Sequence, residues 1–339
     1  MKKKIAFVGF GNVGKALAGL LLQKKDELKE DFCIEYCITG IATASHGMAI
    51  NQSGLDIEQI LSQNVFLTEL NTVPNITDTT EFLQHCEANI LFENTPVNYK
   101  TGQPALDYLR IGLENGMHVI TANKGPVVHG YHELSQLARM KAKKFYFEST
   151  VMDGAPIFSL FREALPAIKI LSFKGILNST TNMILSLVEE GHSFEDALLH
   201  CQKIGIAESD PSGDIDGWDA AVKISALAEV LMDEPIKPNE IPREGIRKLS
   251  EEQIRNAHLE HKRWKLLCYA RKDCEGFDVW VKPTLVDSGS PFYQINGTSS
   301  IIEFETDLLG KLSIIENDPS PFTTAYGLFA DFINAIKVG

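Results

Sequence analysis

The sequence of 339 residues lacks the marks of several large protein classes. Basic charge is in deficit, because 32 lysines and arginines stand against 45 acids, for a net charge of −13. It also lacks a sustained basic patch interleaved with aromatics, which argues against nucleic acid or an anionic membrane surface as a partner. No stretch approaches the roughly 20 apolar residues of a membrane span, and the apolar run behind Met1–Lys4 is too short for a signal peptide.

Cysteine is scarce and shows no pattern. The six cysteines, at positions 33, 37, 86, 201, 268 and 274, include no C-x-x-C pair and no histidine spacing typical of zinc. We therefore expect reduced thiols in a cytoplasmic protein. What the chain does have is enough length for two domains, each with a core of its own.

The first informative motif is a glycine-rich turn near the start of the chain. A short β-rich run over residues 4–10 leads into G-x-G-x-x-G, and a helical pattern follows from Lys15. Glycines allow such a turn to be tight, so that a pyrophosphate can bind at the helix N-terminus. The turn predicts dinucleotide binding, and a purely structural glycine turn is the alternative. The candidate residues are Gly9, Phe10, Gly11, Asn12, Val13 and Gly14.

The next predicted strand, residues 32–41, leaves the choice between NAD and NADP open. An acid at the end of this strand would bind the ribose hydroxyls of NAD, and an arginine would favour NADP. The sequence has neither there. Ser45 and His46 are possible neighbours of the adenosine ribose, or simply solvated loop residues.

Two later strand ends carry further candidates. In an open parallel sheet, ligands bind beyond the carboxyl ends of the strands. Asn94 and Thr95 follow a predicted strand over residues 88–93, and Thr121, Asn123 and Lys124 end or follow the next one. We expect these side chains near the cofactor, with Lys124 beside the nicotinamide, although a loop lysine is usually just solvated.

An acid-rich stretch over residues 207–223 is the centre of the second half of the chain. Proline and glycine in residues 209–213 predict irregular structure, and a helix is predicted from residue 216 or 217. Asp219 and Lys223 then lie on one helix face, and an ordinary exposed ion pair is the simplest interpretation. The surrounding alanines and valines predict burial instead, and a buried lysine needs a partner. Upstream, residues 178–182 form a polar cluster before another helix.

With these residues in view, the chain resembles the homoserine dehydrogenases over nearly its whole length. The matching runs are Gly-Phe-Gly-Asn-Val-Gly (9–14), Thr-Ala-Asn-Lys-Gly-Pro (121–126), Gly-Ile-Leu-Asn-Ser-Thr-Thr-Asn (175–182), Ala-Glu-Ser-Asp-Pro (207–211), Asp214, Asp-Gly-Trp-Asp-Ala-Ala-Val-Lys (216–223) and Arg-Glu-Gly-Ile (243–246). Several ordered motifs together are far more specific than any one of them.

The resemblance implies hydride transfer between NAD(P)H and aspartate 4-semialdehyde, giving homoserine. Glu208 would hold the ammonium group of the substrate, and Lys223 would exchange the proton with the reacting oxygen. Lys124 would lie between cofactor and substrate, and Asp214 and Asp219 would orient ligand and lysine. Asn178 and Thr180 are further candidate substrate-binding residues. A carboxylate and a lysine also suit an amino-acid alcohol and its carbonyl on chemical grounds alone.

The resemblance also implies a site for a monovalent cation such as sodium, bound largely by backbone carbonyls. The matching positions are Glu148, Val151, Asp153 and Ala155, with an aspartate and an alanine where the family has small residues. A second departure is Glu316–Ser320, which replaces a glycine-rich turn that closes over the cofactor. We expect the short form of the family, without a regulatory extension.

The predicted fold class is α/β. A Rossmann dinucleotide-binding domain over residues 1–150 is completed by a C-terminal helix over 322–339, and an α+β substrate-binding and dimerisation domain covers 151–321. We expect a homodimer with a small-molecule substrate. A related Rossmann oxidoreductase acting on another amino or hydroxy acid is one alternative, and a catalytically idle dinucleotide-binding protein is another. Lys124, Glu208, Asp219 and Lys223 argue against the latter, because a pure binder does not need acid-base groups.

Overall fold

The computed structural model describes residues 2–62, 67–73 and 76–337. The chain divides into two compact units. Unit 1 consists of residues 1–156 together with 320–339, and unit 2 consists of residues 157–319. No helix in the described part of the chain is both long and apolar enough to cross a membrane.

Unit 1 is built on a six-stranded sheet with the spatial order β3-β2-β1-β4-β5-β6. All neighbouring strands are parallel except the edge pair β2 and β3. The strands are β1 (Lys3–Val8), β2 (Tyr36–Ala42), β3 (Met48–Ile50), β4 (Ile90–Glu93), β5 (His118–Thr121) and β6 (Phe145–Tyr146). The central strands are apolar on both faces, as is typical of a parallel sheet covered on both sides.

Helices cover the unit 1 sheet. They are α1 (Asn12–Gln23), α2 (Lys25–Glu30), α3 (Ile57–Ser62), α4 (Thr79–His85), α5 (Ala105–Glu114) and α6 (Lys124–Met140). The C-terminal helix, Pro321–Ile336, belongs to this unit and packs on its core: the Phe332 ring lies 6.1 Å from that of Phe92, which in turn is 5.2 Å from Phe7. Positions 338–339 of the predicted C-terminal helix lie outside the described residues.

Unit 2 is built on a five-stranded antiparallel sheet. Its strands are β7 (Ile170–Ile176), β8 (Lys262–Asp273), β9 (Gly276–Asp287), β10 (Ser300–Thr306) and β11 (Gly310–Glu316), in the spatial order β11-β10-β7-β8-β9. The helices of the unit are α7 (Ser179–Glu189), α8 (Phe194–Lys203), α9 (Ser212–Ile215), α10 (Trp218–Met232) and α11 (Glu251–Leu259), so the C-terminal helix becomes α12. Helices α7, α10 and α11 contact β8.

The predicted fold class is confirmed, since a Rossmann-like parallel sheet is followed by a second unit with an antiparallel sheet. One local prediction was wrong. Residues 209–213 were expected to be irregular, but Ser212 begins the short helix α9. The Asp210 side chain accepts a hydrogen bond from the Ser212 amide (3.1 Å), and proline is compatible with a helix start, so turn residues initiate a helix here.

Candidate active site

The glycine turn of unit 1 has the geometry that a dinucleotide requires. Gly9 adopts a φ of +88°, and a Cβ there would lie 2.5 Å from the carbonyl oxygen of Asn94, so only glycine fits between the ends of β1 and β4. A Cβ at Gly11 would meet nothing within 4 Å, which leaves open space at the start of α1. No side chain caps α1, and its first turn carries no acid. Its N-terminal amides are therefore suited to bind a phosphate group.

Asn94 adds a second observation that fits a ligand at this edge of the sheet. Its backbone amide donates to Val8 O (2.8 Å), which holds the residue beside the glycine turn. Both polar atoms of its side-chain amide are buried without a hydrogen-bond partner. Because buried polar groups are nearly always paired, a bound dinucleotide is a natural partner for this amide.

The end of β5 continues the same edge. Asn123 caps α6, since its Oδ1 accepts from the Gly125 amide (2.9 Å), and Lys124 is the first residue of that helix. The Thr121 hydroxyl accepts from the Asn123 amide (2.9 Å) and donates to Glu93 Oε2 (2.7 Å). Of the predicted cofactor residues at these strand ends, Thr95, Thr121 and Asn123 thus share one hydrogen-bond network with Glu93. Glu93 was not among the predicted site residues, because its only signal in the sequence is its place as the last residue of a buried strand.

Ser45 and His46 lie exposed in the loop between β2 and β3. The Ser45 hydroxyl is 2.8 Å from His46 Nδ1, and the His46 amide donates to Thr43 Oγ1 (2.9 Å). Strand β2 ends at Ala42, so no acid or arginine stands at the strand end where the two dinucleotides are usually distinguished.

In unit 2, Lys223 is held by two acceptors on different elements. Its Nζ donates to Leu177 O (2.5 Å), just after β7, and lies 3.3 Å from Asp219 Oδ2. Only 15% of the Lys223 side chain and 9% of the Asp219 side chain are exposed, so the two residues do not form an ordinary solvated ion pair on a helix surface. The remaining N–H of the ammonium group can be directed at a ligand.

Asn178 joins two carboxylates beside that lysine. Its Nδ2 donates to Asp214 Oδ1 (2.7 Å) and to Asp219 Oδ2 (3.0 Å), and its Oδ1 caps α7 by accepting from the Thr181 amide (2.9 Å). Burial and the charge of Asp219 raise the pKa of the Asp214 carboxyl, while Asn178, Thr180 and Lys223 act in the opposite direction. Asn178, Asp214, Asp219 and Lys223 therefore form one cluster.

Thr180 and Glu208 are tied to this cluster through the backbone. The Thr180 hydroxyl donates to Ile206 O (2.9 Å), which joins the first turn of α7 to the segment that carries Glu208. The backbone oxygen of Glu208 accepts from Gln202 Nε2 (3.0 Å), and its side chain is exposed. The structure thus leaves the Glu208 carboxylate accessible to a solvated cationic group.

The segment 243–246 braces the start of α10, a role that its position in the sequence did not reveal. Arg243 donates to Asp216 O (2.8 Å) and lies 3.5 Å from the ring centroid of Trp218. A Cβ at Gly245 would collide with Ile215 O and with the backbone of Asp216. Glycine is thus required at position 245 for the segment to approach α9 closely.

The four predicted cation residues lie in one short segment of unit 1. A 3₁₀ turn begins at Glu148, whose amide donates to Asp331 Oδ2 (2.8 Å), and Asp153 adopts a φ of +37°. Within residues 2–62, 67–73 and 76–337, no cluster of three or more histidine, cysteine or acidic side chains is placed to hold a metal. A cation bound mainly by carbonyls would not produce such a cluster, and the oxygen donors of this segment suit a hard ion.

Ser320 occupies the place of the missing glycine-rich turn and is the N-cap of α12. Its hydroxyl accepts from the Thr323 amide (3.3 Å), and the Thr323 hydroxyl accepts from the Ser320 amide (2.8 Å). With Pro321 as the next residue, this is a complete capping box. A fixed helix start therefore replaces the glycines.

Comparisons with known proteins agree with this geometry. Residues 156–333 match the family model described as homoserine dehydrogenase, and residues 9–148 match that of the homoserine dehydrogenase NAD binding domain. The NAD(+)-dependent homoserine dehydrogenase of Pseudomonas canavaninivorans is 33% identical over 98% of this chain and 95% of its own length. The homoserine dehydrogenase of Methanocaldococcus jannaschii is 34% identical over 97% of both chains.

A crystal structure provides the matching comparison of folds. The putative homoserine dehydrogenase of Archaeoglobus fulgidus superposes with a TM-score of 0.86 at 29% identity, over 98% of this chain and 99% of that one. The resemblance inferred from the motifs is confirmed, and so is the expectation of an oxidoreductase with a nicotinamide dinucleotide as cofactor. The chain belongs to the homoserine dehydrogenase family.

Proposed function

We propose that this protein interconverts L-homoserine and L-aspartate 4-semialdehyde with NAD or NADP, as an enzyme of amino-acid biosynthesis. The observation that carries the proposal is the largely buried cluster of Lys223, Asp219, Asn178 and Asp214, which places one ammonium group between two fixed acceptors. The glycine turn leaves room for the pyrophosphate of a dinucleotide, which is the hydride acceptor. Lys223 in the cluster is the acid-base group that exchanges the proton of the alcohol.

In this proposal, each unit contributes one part of the reaction. Unit 1 holds the dinucleotide at the glycine turn and at the ends of β4 and β5, with Lys124 at the start of α6. Unit 2 holds the amino acid, with the exposed Glu208 carboxylate bound to its ammonium group. Thr180 supports Glu208 through Ile206.

The chemistry balances as one hydride and one proton. A dinucleotide held at the glycine turn and at the ends of β4 and β5 would supply the hydride acceptor for the alcohol carbon of homoserine. Neutral Lys223 takes the hydroxyl proton, and a carbonyl forms at that carbon. In the other direction the Lys223 ammonium group donates a proton to the aldehyde oxygen. Asp219 and Leu177 O keep the Lys223 side chain in place for both directions.

Three further features belong to the proposal. A monovalent cation, sodium, binds at Glu148, Val151, Asp153 and Ala155, which the oxygen-only donor set supports. The protein forms a homodimer through unit 2, in line with exposed apolar side chains on its sheet such as Leu171, Leu285 and Ile315. It acts in the cytoplasm, where the free thiols of its six cysteines remain reduced.

One assay tests the proposed function. Purified protein is mixed with L-homoserine and either NAD or NADP, and the absorbance of the reduced nicotinamide is followed. We expect turnover with homoserine and with at least one dinucleotide, and no comparable turnover with lactate, malate or glutamate. Equal or faster reaction with one of those three would contradict the assignment.

A further inference from the structure

Glu93 is a fully buried carboxyl group at the edge of the unit 1 sheet where the dinucleotide is proposed to bind. It accepts hydrogen bonds from the Thr95 amide (2.8 Å), from the Thr95 hydroxyl and from the Thr121 hydroxyl (2.7 Å). Asn123 closes the circle, because its amide donates to Thr121 Oγ1 (2.9 Å) and its Nδ2 donates to Thr95 O (3.1 Å). We call these four residues the Glu93 ring.

Stability alone does not explain a carboxyl group at this position. Burial raises the pKa of the Glu93 carboxyl, and the hydrogen bonds from Thr95, Thr121 and Asn123 only oppose that effect. Burying an ionisable group is costly, and apolar residues of similar volume usually stabilise a core as well or better. The carboxyl group does, however, offer several acceptor positions in one plane, which lets it bind donors from two strand ends at once.

The ring holds neighbouring residues at the edge of the sheet where the dinucleotide is proposed to bind. Asn94, whose side-chain amide has no hydrogen-bond partner, lies in the chain between Glu93 and Thr95. Gly9 is packed against Asn94 O and the Thr95 amide, so the ring also sets the position of the glycine turn. On the other side, Asn123 caps α6, which begins at Lys124.

We propose that Glu93 is a positioning residue, which through Thr95, Thr121 and Asn123 holds Asn94 and the start of α6 in the arrangement that binds the dinucleotide and places Lys124. The part that concerns Lys124 rests on the proposed function. The part that concerns dinucleotide binding stands without it.

Glu93→Gln tests the proposal with little change in shape. In the wild type, the Thr121 hydroxyl donates to the Glu93 carboxylate. In the variant, the Gln amide nitrogen can only donate to Thr121 Oγ1, so this hydrogen bond changes direction and the Thr121 hydroxyl hydrogen loses its acceptor. We expect the dissociation constants of NADH and NADPH, measured by titration calorimetry, to rise about tenfold or more for whichever dinucleotide the wild type binds. Turnover of homoserine at saturating dinucleotide is also expected to fall at least tenfold, because Lys124 is displaced.

Thr39→Val is the matched control. Thr39 is a fully buried hydroxyl in the same sheet, and it donates to Ile5 O (3.4 Å) and Cys86 O (3.1 Å), away from the ring. We expect Thr39→Val to lower the melting temperature at least as much as Glu93→Gln, with dinucleotide affinity unchanged. If Glu93 had only a structural role, Glu93→Gln would likewise lower the melting temperature and leave the dinucleotide affinity of the folded protein unchanged.

The measurements distinguish a positioning role of Glu93 from a purely structural one. Glu93→Gln protein that binds dinucleotide within twofold of wild type overturns the proposal, and so does a Glu93→Gln chain that fails to fold, since Glu93 would then act on stability. If the wild type binds dinucleotide but does not oxidise homoserine, the proposed function fails, and the affinity comparison still decides the role of Glu93.

Discussion

At the scale of single residues, the two lysines of the proposed reaction have different surroundings. Lys223 is mostly buried between Leu177 O and Asp219, whereas Lys124 begins a helix at the edge of the other sheet. A side chain held by two fixed acceptors is pre-organised for proton transfer. Lys223 is therefore our choice for the group that exchanges the proton.

We expect Lys223→Ala to lower the turnover number for homoserine by roughly 10²–10⁴, the range typical of a lost general acid or base. Dinucleotide affinity, measured by fluorescence on the same sample, is expected to stay unchanged, because Lys223 belongs to unit 2. Lys124→Ala, measured in parallel, shows how much of the reaction depends on the other lysine.

Lys248→Ala is a suitable control for that experiment. Lys248 also forms an i,i+4 ion pair, 3.7 Å from Glu244, but 83% of its side chain is exposed. Its loss is expected to change stability by a few tenths of a kcal/mol and turnover hardly at all. If Lys223→Ala behaves like this control, the assignment moves to Lys124.

The sequence was informative about residues whose type is unusual for its setting. The alanines and valines around Asp219 and Lys223 predicted that this pair is buried, and its side chains are 9% and 15% exposed. Asn178 and Asp214 were candidates only through the family resemblance, and the structure places both in hydrogen-bond contact with this pair or with each other. Glu93 gave no such signal. A glutamate at a strand end is normally solvated, and only the tertiary structure shows that it points inward.

At the scale of elements, helix α7 links capping to the candidate active site. Asn178 caps the helix with its Oδ1 while its Nδ2 separates the charges of Asp214 and Asp219. One side chain thus serves the helix end and the acidic cluster at the same time.

Removing it should affect both properties. We expect Asn178→Ala to lower the free energy of unfolding by about 1–3 kcal/mol, as a lost cap and a lost buried hydrogen bond would. Turnover should fall as well, because Asp219 then holds Lys223 less firmly. Urea unfolding and the homoserine assay measure the two effects.

The cap of α8 provides the comparison. Ser193 Oγ accepts from the Asp196 amide (3.0 Å) at an exposed helix start. Ser193→Ala should also cost about 1 kcal/mol, with turnover unchanged. An Asn178→Ala protein with the stability loss of Ser193→Ala and full turnover would show that Asn178 is only a cap.

Prediction of elements failed where local chemistry and tertiary context disagree. The hairpin of β8 and β9 was not predicted, because charged residues crowd both strands and Pro283 interrupts the second. Strand β9 lies at the edge of its sheet, where a proline is tolerated. The sequence pattern predicts a helix only over residues 132–143, whereas α6 begins at Lys124, with a kink at Gly130. Its glycines and proline concealed the first two turns.

At the scale of the whole molecule, unit 1 is assembled from two separate parts of the chain. Helix α12 follows all of unit 2 in sequence, and it supplies Leu328 and Phe332, both fully buried, to the core of unit 1. The core of this unit therefore depends on the last described helix.

A substitution in α12 should accordingly weaken the core of unit 1, most of which lies within residues 1–156, far earlier in the sequence. We expect Phe332→Ala to lower the free energy of unfolding by about 3–5 kcal/mol, through lost transfer energy and a cavity beside Phe92. Thermal unfolding with and without dinucleotide measures the effect, and dinucleotide should restore part of the loss by mass action.

Phe322→Ala on the same helix is the control, since 52% of Phe322 is exposed. Its effect should stay within about 0.5 kcal/mol. If Phe332→Ala were no more damaging than Phe322→Ala, α12 would be an accessory to the sheet and not a part of its core.

The divided unit has a consequence for the order of events during synthesis. After residue 156 has left the ribosome, residues 157–319 must still be made before α12 can reach the sheet. At about 5–20 residues per second, that delay is roughly eight to thirty seconds. During this time unit 2, a continuous stretch of chain, can fold, while the face of the earlier sheet that α12 will cover stays open to chaperones. Newly synthesised chains should thus complete unit 2 first and acquire dinucleotide affinity last, once α12 has packed on the unit 1 sheet.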